Sequence, residues 1–229
     1  MSISVIIPAY NEGHIISKTI DEVYRFLADN YQRYQVIVVN DGSTDDTLQR
    51  IYRAPVATVI SYEKNKGKGY ALRKGVEKAW GDMIVLYDAD MAYSLSYIKS
   101  AEKLLRYFDI VAGTRKNAAR EAPSPIRRIA SDGFARYVDK SLHLNVSDTQ
   151  CGFKALRSTA AKKLFPLMQL DGFAADVELF VLAQKYCYTV AEMPVKSAPE
   201  IRASRVNLLA DGINMAGDIQ RIKRRLHKM

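Results

Sequence analysis

The feature that most constrains this chain is the alternation, through its first half, of short β-rich runs with helix-like segments. The runs are Ser4–Ile7, Val36–Val39, Val56–Ser61, Met83–Leu86 and Ile110–Ala112. Between them lie helical patterns at about Ile15–Ala28, Asp45–Tyr52, Tyr70–Trp80 and Ile98–Arg106. Strand–helix–strand repetition at this spacing predicts an α/β fold, a mostly parallel central sheet with helices on both faces. The runs are continuously apolar, which fits strands buried on two sides. Asn11, and Ser43 or Thr44 ahead of Asp45 and Asp46, read as helix N-terminal caps.

After Gly113 the pattern loosens. Residues 115–128, RKNAAREAPSPIRR, are basic and proline-bearing, the composition of a loop. A strand-like Gly152–Leu156 follows, then helices near Thr159–Phe165 and Ala174–Tyr186 and a strand at Thr189–Val195. From about Leu208 the tail is helical in pattern. Leu209, Ile213, Ala216, Ile219, Ile222 and Leu226 form an apolar stripe, and Arg221, Lys223, Arg224, Arg225 and Lys228 crowd its last turns. Those basic residues suit a helix C-terminus in any setting; they also suit a basic amphipathic helix lying on an anionic membrane surface. The expected division is a catalytic domain over 1–205 and a C-terminal amphipathic helix over 206–229.

Composition removes several function classes. No apolar run approaches the ~18 residues of a membrane span, and no signal peptide precedes the first strand-like segment. Two cysteines, Cys151 and Cys187, without a CxxC pattern, argue against a disulfide framework or a zinc site and suggest a reducing, cytoplasmic compartment. The net charge of +9 fits an anionic partner: nucleic acid, an anionic bilayer or a phosphorylated substrate. Nucleic acid is set aside, because the charge gathers in one loop and the tail and such binding needs no paired aspartates.

In sheets of this kind ligands sit outside the carboxyl ends of the strands. The segments there are PAYNE, NDGSTD, EKNKGKG and the DAD of VLYDADM, so polar groups converge on one edge. A dinucleotide fingerprint fails because Leu72 stands where the third small residue belongs. A Walker loop fails because Gly67-Lys68 continues to Gly69. Asp88 and Asp90 are two apart; in an extended segment their side chains point to one side with backbones roughly 6.5 Å apart. That span suits one hard divalent cation such as Mg2+ or Mn2+, which takes oxygen ligands and leaves room for phosphates. Without a cation, the two carboxylates repel each other and any phosphorylated ligand.

In this order, VIIPAYNE, VVNDGSTDDT, NKGKGYALRKG and YDAD resemble the family 2 inverting glycosyltransferases with the Rossmann-like GT-A fold. DTQCGFKALR (Asp148–Arg157) and DGFAADVELFVLA (Asp171–Ala183) are similar to the dolichyl-phosphate β-glucosyltransferases and their kin, the dolichyl-phosphate mannose synthases. The resemblance runs from residue 3 to about 205. It implies a hexosyltransferase that uses a nucleotide sugar, UDP-glucose ahead of GDP-mannose, and a polyprenyl or dolichyl phosphate acceptor. A soluble or glycan acceptor is the alternative. By the same resemblance Pro8, Tyr10 and Glu12 line the nucleotide pocket and Asp41 meets the base or ribose. Lys68 and Arg73 approach the donor, and Asp88 and Asp90 hold the metal on the diphosphate. Asp148, Gln150, Asp171, Asp176 and Glu178 face the sugar and acceptor; Asp176 is the candidate base if the acceptor is an alcohol. Arg115, Lys116, Arg120, Arg127 and Arg128, with Arg205, are the cations for an acceptor phosphate, since guanidinium forks match phosphate. Such an enzyme would sit peripherally on the cytoplasmic face of the membrane, as a monomer or a homo-oligomer. Two departures stand out. Ala92 replaces a polar residue that helps the metal in some mannose synthases, and Ala203-Ser204-Arg205 replaces the usual small-Ser-Lys signature.

Overall fold

The structure, a computed structural model, describes residues 1–54, 57–115, 138, 141–198 and 217–225. In chain order the elements are β1 (Ile3–Ala9), α1 (Ile16–Asn30), β2 (Tyr34–Asp41), α2 (Thr47–Tyr52), β3 (Ala57–Tyr62), α3 (Lys68–Lys78) and β4 (Met83–Leu86). Then come α4 (Ser96–Leu104), β5 (Ile110–Thr114), β6 (Lys154–Arg157), α5 (Ser158–Leu164), a 3-10 turn (Phe165–Leu167), α6 (Ala175–Lys185) and β7 (Val190–Pro194). Residues 217–225 form a further helix, α7.

Seven strands make one sheet in the order β3-β2-β1-β4-β6-β5-β7. β1 pairs in parallel with β2 and β4, β2 with β3, and β5 with β7. β6 runs antiparallel to β4 and β5. The chain works outward from β1 to β3, then returns to lay β4 on the other side of β1. That reversal opens a crevice at the carboxyl ends of β1 and β4.

Burial on both faces explains the unbroken apolar runs. Ile6, Ile37, Val39, Ile84 and Leu86 enter one core, under α3, α5 and α6. Their neighbours Val5, Ile7, Val36, Val38, Met83 and Val85 enter the other, under α1, α2 and α4. With side chains alternating between faces, both faces of these strands are mostly apolar. In α1 the buried set Ile16, Thr19, Ile20, Val23 and Leu27 has helical spacing.

The expected caps are used differently. α1 starts after Ile15 and α2 after Asp46, neither with a side-chain cap. Asn11, at φ +55°, instead ties two loops together. Its Oδ1 accepts from the Thr44 N–H at 2.7 Å, and its own N–H donates to Ser43 Oγ at 3.0 Å. Both loops belong to the crevice, where Asn11 and Ser43 serve its shape, while Asp45 accepts from the Thr47 N–H at the start of α2 at 3.0 Å.

The described part of the tail belongs to the main core. Ile219 and Ile222 are buried in the same cluster as α5 and α6. Arg225 donates to Glu178 Oε1 and to the Leu167 carbonyl, both at 2.6 Å. These two isoleucines of the apolar stripe are therefore covered by protein and do not face a bilayer. Leu209, Ile213, Ala216, Leu226 and Lys228 lie outside the described residues. Among the described residues, no helix is long and apolar enough to cross a membrane.

Candidate active site

At the exit of β4 the chain does not continue extended through the two aspartates. It turns: the Met91 N–H donates to the Asp88 carbonyl at 3.3 Å, and Met91 has φ +56°. The turn is held from both sides. Buried Thr19 of α1 donates its hydroxyl to the Ala89 carbonyl at 2.6 Å, and the Ala198 N–H donates to the Ala92 carbonyl at 2.7 Å. The Tyr87 hydroxyl donates to the Tyr93 carbonyl. Asp90 Oδ1 accepts from the Ala92 N–H at 3.0 Å, so Ala92 supports Asp90 through its backbone.

Asp88 is enclosed by cations. Lys68, the first residue of α3, places Nζ 2.6 Å from Asp88 Oδ1. A Cβ on Gly152 would come within 1.8 Å of Asp88 Oδ2, so only glycine lets the backbone lie this close to the carboxylate. Burial alone would raise the Asp88 carboxyl, but the Lys68 ammonium, with Lys154 and Arg115 behind it, holds it below the ordinary value. Desolvation would lower Lys68, yet Asp88, Asp176 and Asp90 keep it above the ordinary lysine value. Asp90 moves the other way, raised by desolvation and by the charge on Asp88. The repulsion expected between the two carboxylates thus falls on Asp90.

This donor set suits a hard divalent cation: two carboxylates on one turn, one of them raised by its neighbour's charge. Among the described residues, no group of three or more His, Cys, Asp or Glu side chains could hold a metal. Further ligands would come from water and from substrate phosphate.

Asp41, expected at the base or ribose, turns its carboxylate into the loop before α3. It accepts from the Lys66 N–H (2.8 Å), the Gly67 N–H (2.9 Å) and Asn65 Nδ2 (2.9 Å). Gly67, at φ +97°, lets that loop turn into the helix that delivers Lys68. Pro8 lies in β1 opposite Val39, Tyr10 is 40% exposed at the crevice edge, and the Glu12 carbonyl accepts from Ile15 and Ile16 to start α1.

Several expected ligand contacts are made to protein instead. Arg73 donates to the Leu170 carbonyl at 2.8 Å and is ion-paired with Asp171. The Asp171 carbonyl accepts from Gly69 and Tyr70, satisfying open N–H groups of α3. Arg73 and Asp171 therefore tie α3 to the segment before α6. Glu178 is buried and accepts from the Gln169 and Leu170 N–H groups and from Arg225. Asp176 is also buried, with Oδ1 2.7 Å from Lys154 Nζ. Asp148 accepts both arms of the Arg115 guanidinium, at 2.8 and 2.9 Å, so it orients Arg115 at the end of β5. Gln150 donates to the Phe173 carbonyl at 3.3 Å. Lys116, Arg120, Arg127, Arg128 and Arg205 lie outside the described residues.

Three residues that matter here were not singled out from sequence. Lys154 carried a signal, since a lysine inside the apolar run GFKAL requires a buried partner. Thr19 carried one too, as a hydroxyl on the apolar stripe of α1. Gly152 carried none without the fold.

With this geometry in view, likeness to known proteins becomes informative. The profile of Glycosyl transferase family 2 matches residues 4–165. The chain belongs to glycosyl transferase family 2. It is a nucleotide-sugar glycosyltransferase. Over 241 residues it is 30% identical to the dolichyl-phosphate β-glucosyltransferase of Dictyostelium discoideum, covering 96% of this chain and 73% of that one. Over 244 residues it is 31% identical to the human dolichyl-phosphate β-glucosyltransferase, covering 97% and 75%. The crystal structure of Mycobacterium tuberculosis glucosyl-3-phosphoglycerate synthase with Mn2+, UDP and phosphoglyceric acid superposes with a TM-score of 0.72, at 22% identity over 96% of this chain and 76% of that chain. That likeness bears on the fold, which is GT-A, as the family's motifs implied.

Proposed function

We propose that this family 2 enzyme moves glucose from UDP-glucose to a dolichyl or other polyprenyl phosphate, in one displacement that inverts the anomeric carbon. The observation that carries the reading is the turn at the end of β4, where a diacid meets Lys68, in a chain 30% and 31% identical to dolichyl-phosphate β-glucosyltransferases. Asp88 and Asp90 would hold Mg2+ or Mn2+, and the mycobacterial synthase of the same fold was crystallised with Mn2+ and UDP. When bound, such a cation offsets the charge that develops on the departing nucleoside diphosphate. Lys68 orients that diphosphate, while Pro8, Tyr10, Glu12 and the loop fastened by Asp41 enclose the nucleotide.

A phosphate acceptor is already anionic, so no strong general base is needed. The buried pairing of Asp176 with Lys154 agrees with that. Cations are what such an acceptor requires. Arg115, oriented by Asp148, is the described candidate, with Arg127, Arg128 and Arg205 proposed from the sequence. Gln150 stays on the sugar side. A lipid acceptor implies peripheral contact with the cytoplasmic face of an anionic membrane, to which the exposed Arg221, Lys223 and Arg224 of α7 are suited.

The test is transfer of labelled glucose from UDP-glucose, with GDP-mannose in parallel, to polyprenyl phosphate in detergent and to soluble sugars. A chloroform-soluble glucosyl phospholipid is the expected product. Transfer to soluble acceptors without any lipid product overturns the acceptor assignment.

A further inference from the structure

The Asp88 carboxylate is a cation site that already holds a cation. Lys68 Nζ lies 2.6 Å from Oδ1, while Oδ2 is backed by Gly152. We propose that Lys68 is an internal counter-cation that keeps a divalent metal out of the donor-free protein, and that the metal binds only together with the donor diphosphate. This inference rests on reading Asp88 and Asp90 as the metal ligands.

Three features carry it. First, the carboxylate is constrained on both oxygens, by Lys68 on one side and the Gly152 backbone on the other. The Gly152 backbone beside it leaves the carboxylate little room to turn away from the lysine on that side. Second, Lys68 is the cation in direct contact with Asp88, because Lys154 and Arg115 are each paired with another carboxylate, Asp176 and Asp148. A dication at the same carboxylate oxygen would have to displace that ammonium or bear its repulsion. Third, Lys68 is the part free to move. The N–H groups of Gly69 and Tyr70 behind it are taken by the Asp171 carbonyl, and Arg73 is pinned to Leu170 and Asp171. The helix start is fixed, whereas the lysine carries its charge on a flexible four-carbon stem.

A nucleoside diphosphate changes this balance in two ways. It offers Lys68 another anionic partner within reach of α3, and it brings phosphate oxygens that can ligate the metal. Metal and diphosphate then favour each other's binding by a common factor, as linkage requires. Without the diphosphate, Lys68 keeps its carboxylate.

The test measures Mn2+ retained with the protein in equilibrium dialysis, with a protein-free nucleotide arm to subtract Mn2+ held by UDP or GDP alone, and no turnover is involved. Wild type, Lys68→Met and Lys68→Gln are titrated with Mn2+ alone and with saturating UDP or GDP. Lys74→Met removes the same charge from the outer side of α3, where Lys74 pairs with Glu77. The expected result is weak Mn2+ binding by donor-free wild type and binding about ten-fold tighter or more by both Lys68 variants. The factor by which nucleotide tightens Mn2+ should shrink in those variants, and Lys74→Met should stay within about two-fold of wild type. If folded Lys68 variants bind Mn2+ no more tightly than wild type, or Lys74→Met gains as much, the inference is overturned while the metal site stands. If wild type takes up no Mn2+ even with UDP or GDP, the metal-site reading falls and the inference with it.

Discussion

Lys154 Nζ lies 2.7 Å from Asp176 Oδ1, with the two side chains only 1% and 7% exposed, and the same ammonium donates to the Cys151 carbonyl at 2.7 Å. Removing one partner of a buried pair strands the other charge at a cost of about 3–5 kcal/mol. Lys154→Met should lose that much unfolding free energy in a denaturant titration, and Lys154→Met/Asp176→Leu should recover most of it. The pair also bears on chemistry. A general base is worth about 10²–10⁴-fold in rate and leaves its signature in the acid limb of the pH profile. Asp176→Asn should keep the wild-type shape of that profile; disappearance of the acid limb would restore Asp176 as the base.

Gly152 is set by its closeness to Asp88. An added Cβ would meet Asp88 Oδ2 at 1.8 Å, whereas one on Gly172 would meet nothing within 4 Å. Gly152→Ala should cost about 1–3 kcal/mol of stability and weaken Mn2+·UDP binding by calorimetry about ten-fold or more. Gly172→Ala should change neither.

The strand and helix periods made the layout readable from sequence, because each buried strand carries apolar residues on both faces. The acidic turn was readable because two acids ending such a strand have no core role. What was not readable is which charges answer each other across the fold. Glu178 and Arg225 are 47 positions apart and Arg73 and Asp171 98 apart, and local pattern carries no information at that range. Hence the protein partners of Glu178, Asp171 and Arg73 come from the fold and not from local pattern. Asn11 and Ser43 looked like caps for a related reason: the side-chain chemistry that caps a helix also joins two loops.

Thr19 is such a long-range partner of the site. Its hydroxyl donates to the Ala89 carbonyl at 2.6 Å inside the core, 70 positions away. Thr19→Val keeps the shape and leaves that carbonyl unsatisfied, at about 1–3 kcal/mol. Denaturant unfolding should show that loss together with weaker Mn2+ binding in the presence of UDP. Thr19→Ser, which keeps the donor, should retain the Mn2+ affinity.

Asp148 gives a pH prediction with a definite sign. Burial would raise its carboxyl, but hydrogen bonds and charge from Arg115 outweigh this and hold it below 3.8, its unperturbed value. A carboxyl depressed in the folded state contributes stability that is complete above the unfolded pKa and lost as pH falls through the folded one. Unfolding free energy of wild type should therefore decline as the pH drops below about 3.8. Asp148→Asn should begin lower at neutral pH and show a shallower acid decline. Parallel curves for the two proteins would mean that Arg115 does not favour the ionised carboxylate.

The tail can be divided into a packing role and a surface role. Ile219 and Ile222 are buried, and Arg225 braces Glu178, so a chain ending at residue 216 should be destabilised wherever it is assayed. Burial of two isoleucines sets an upper figure of about 3–6 kcal/mol. Arg221, Lys223 and Arg224 face outward, and exposed positions of this kind tolerate substitution within about 0.5 kcal/mol each. The triple variant Arg221→Glu/Lys223→Glu/Arg224→Glu should accordingly keep nearly full stability while binding anionic phosphatidylserine vesicles more weakly in a sedimentation assay. Because the truncation removes both roles and the triple variant only one, vesicle binding that survives the charge reversal would assign α7 to packing alone.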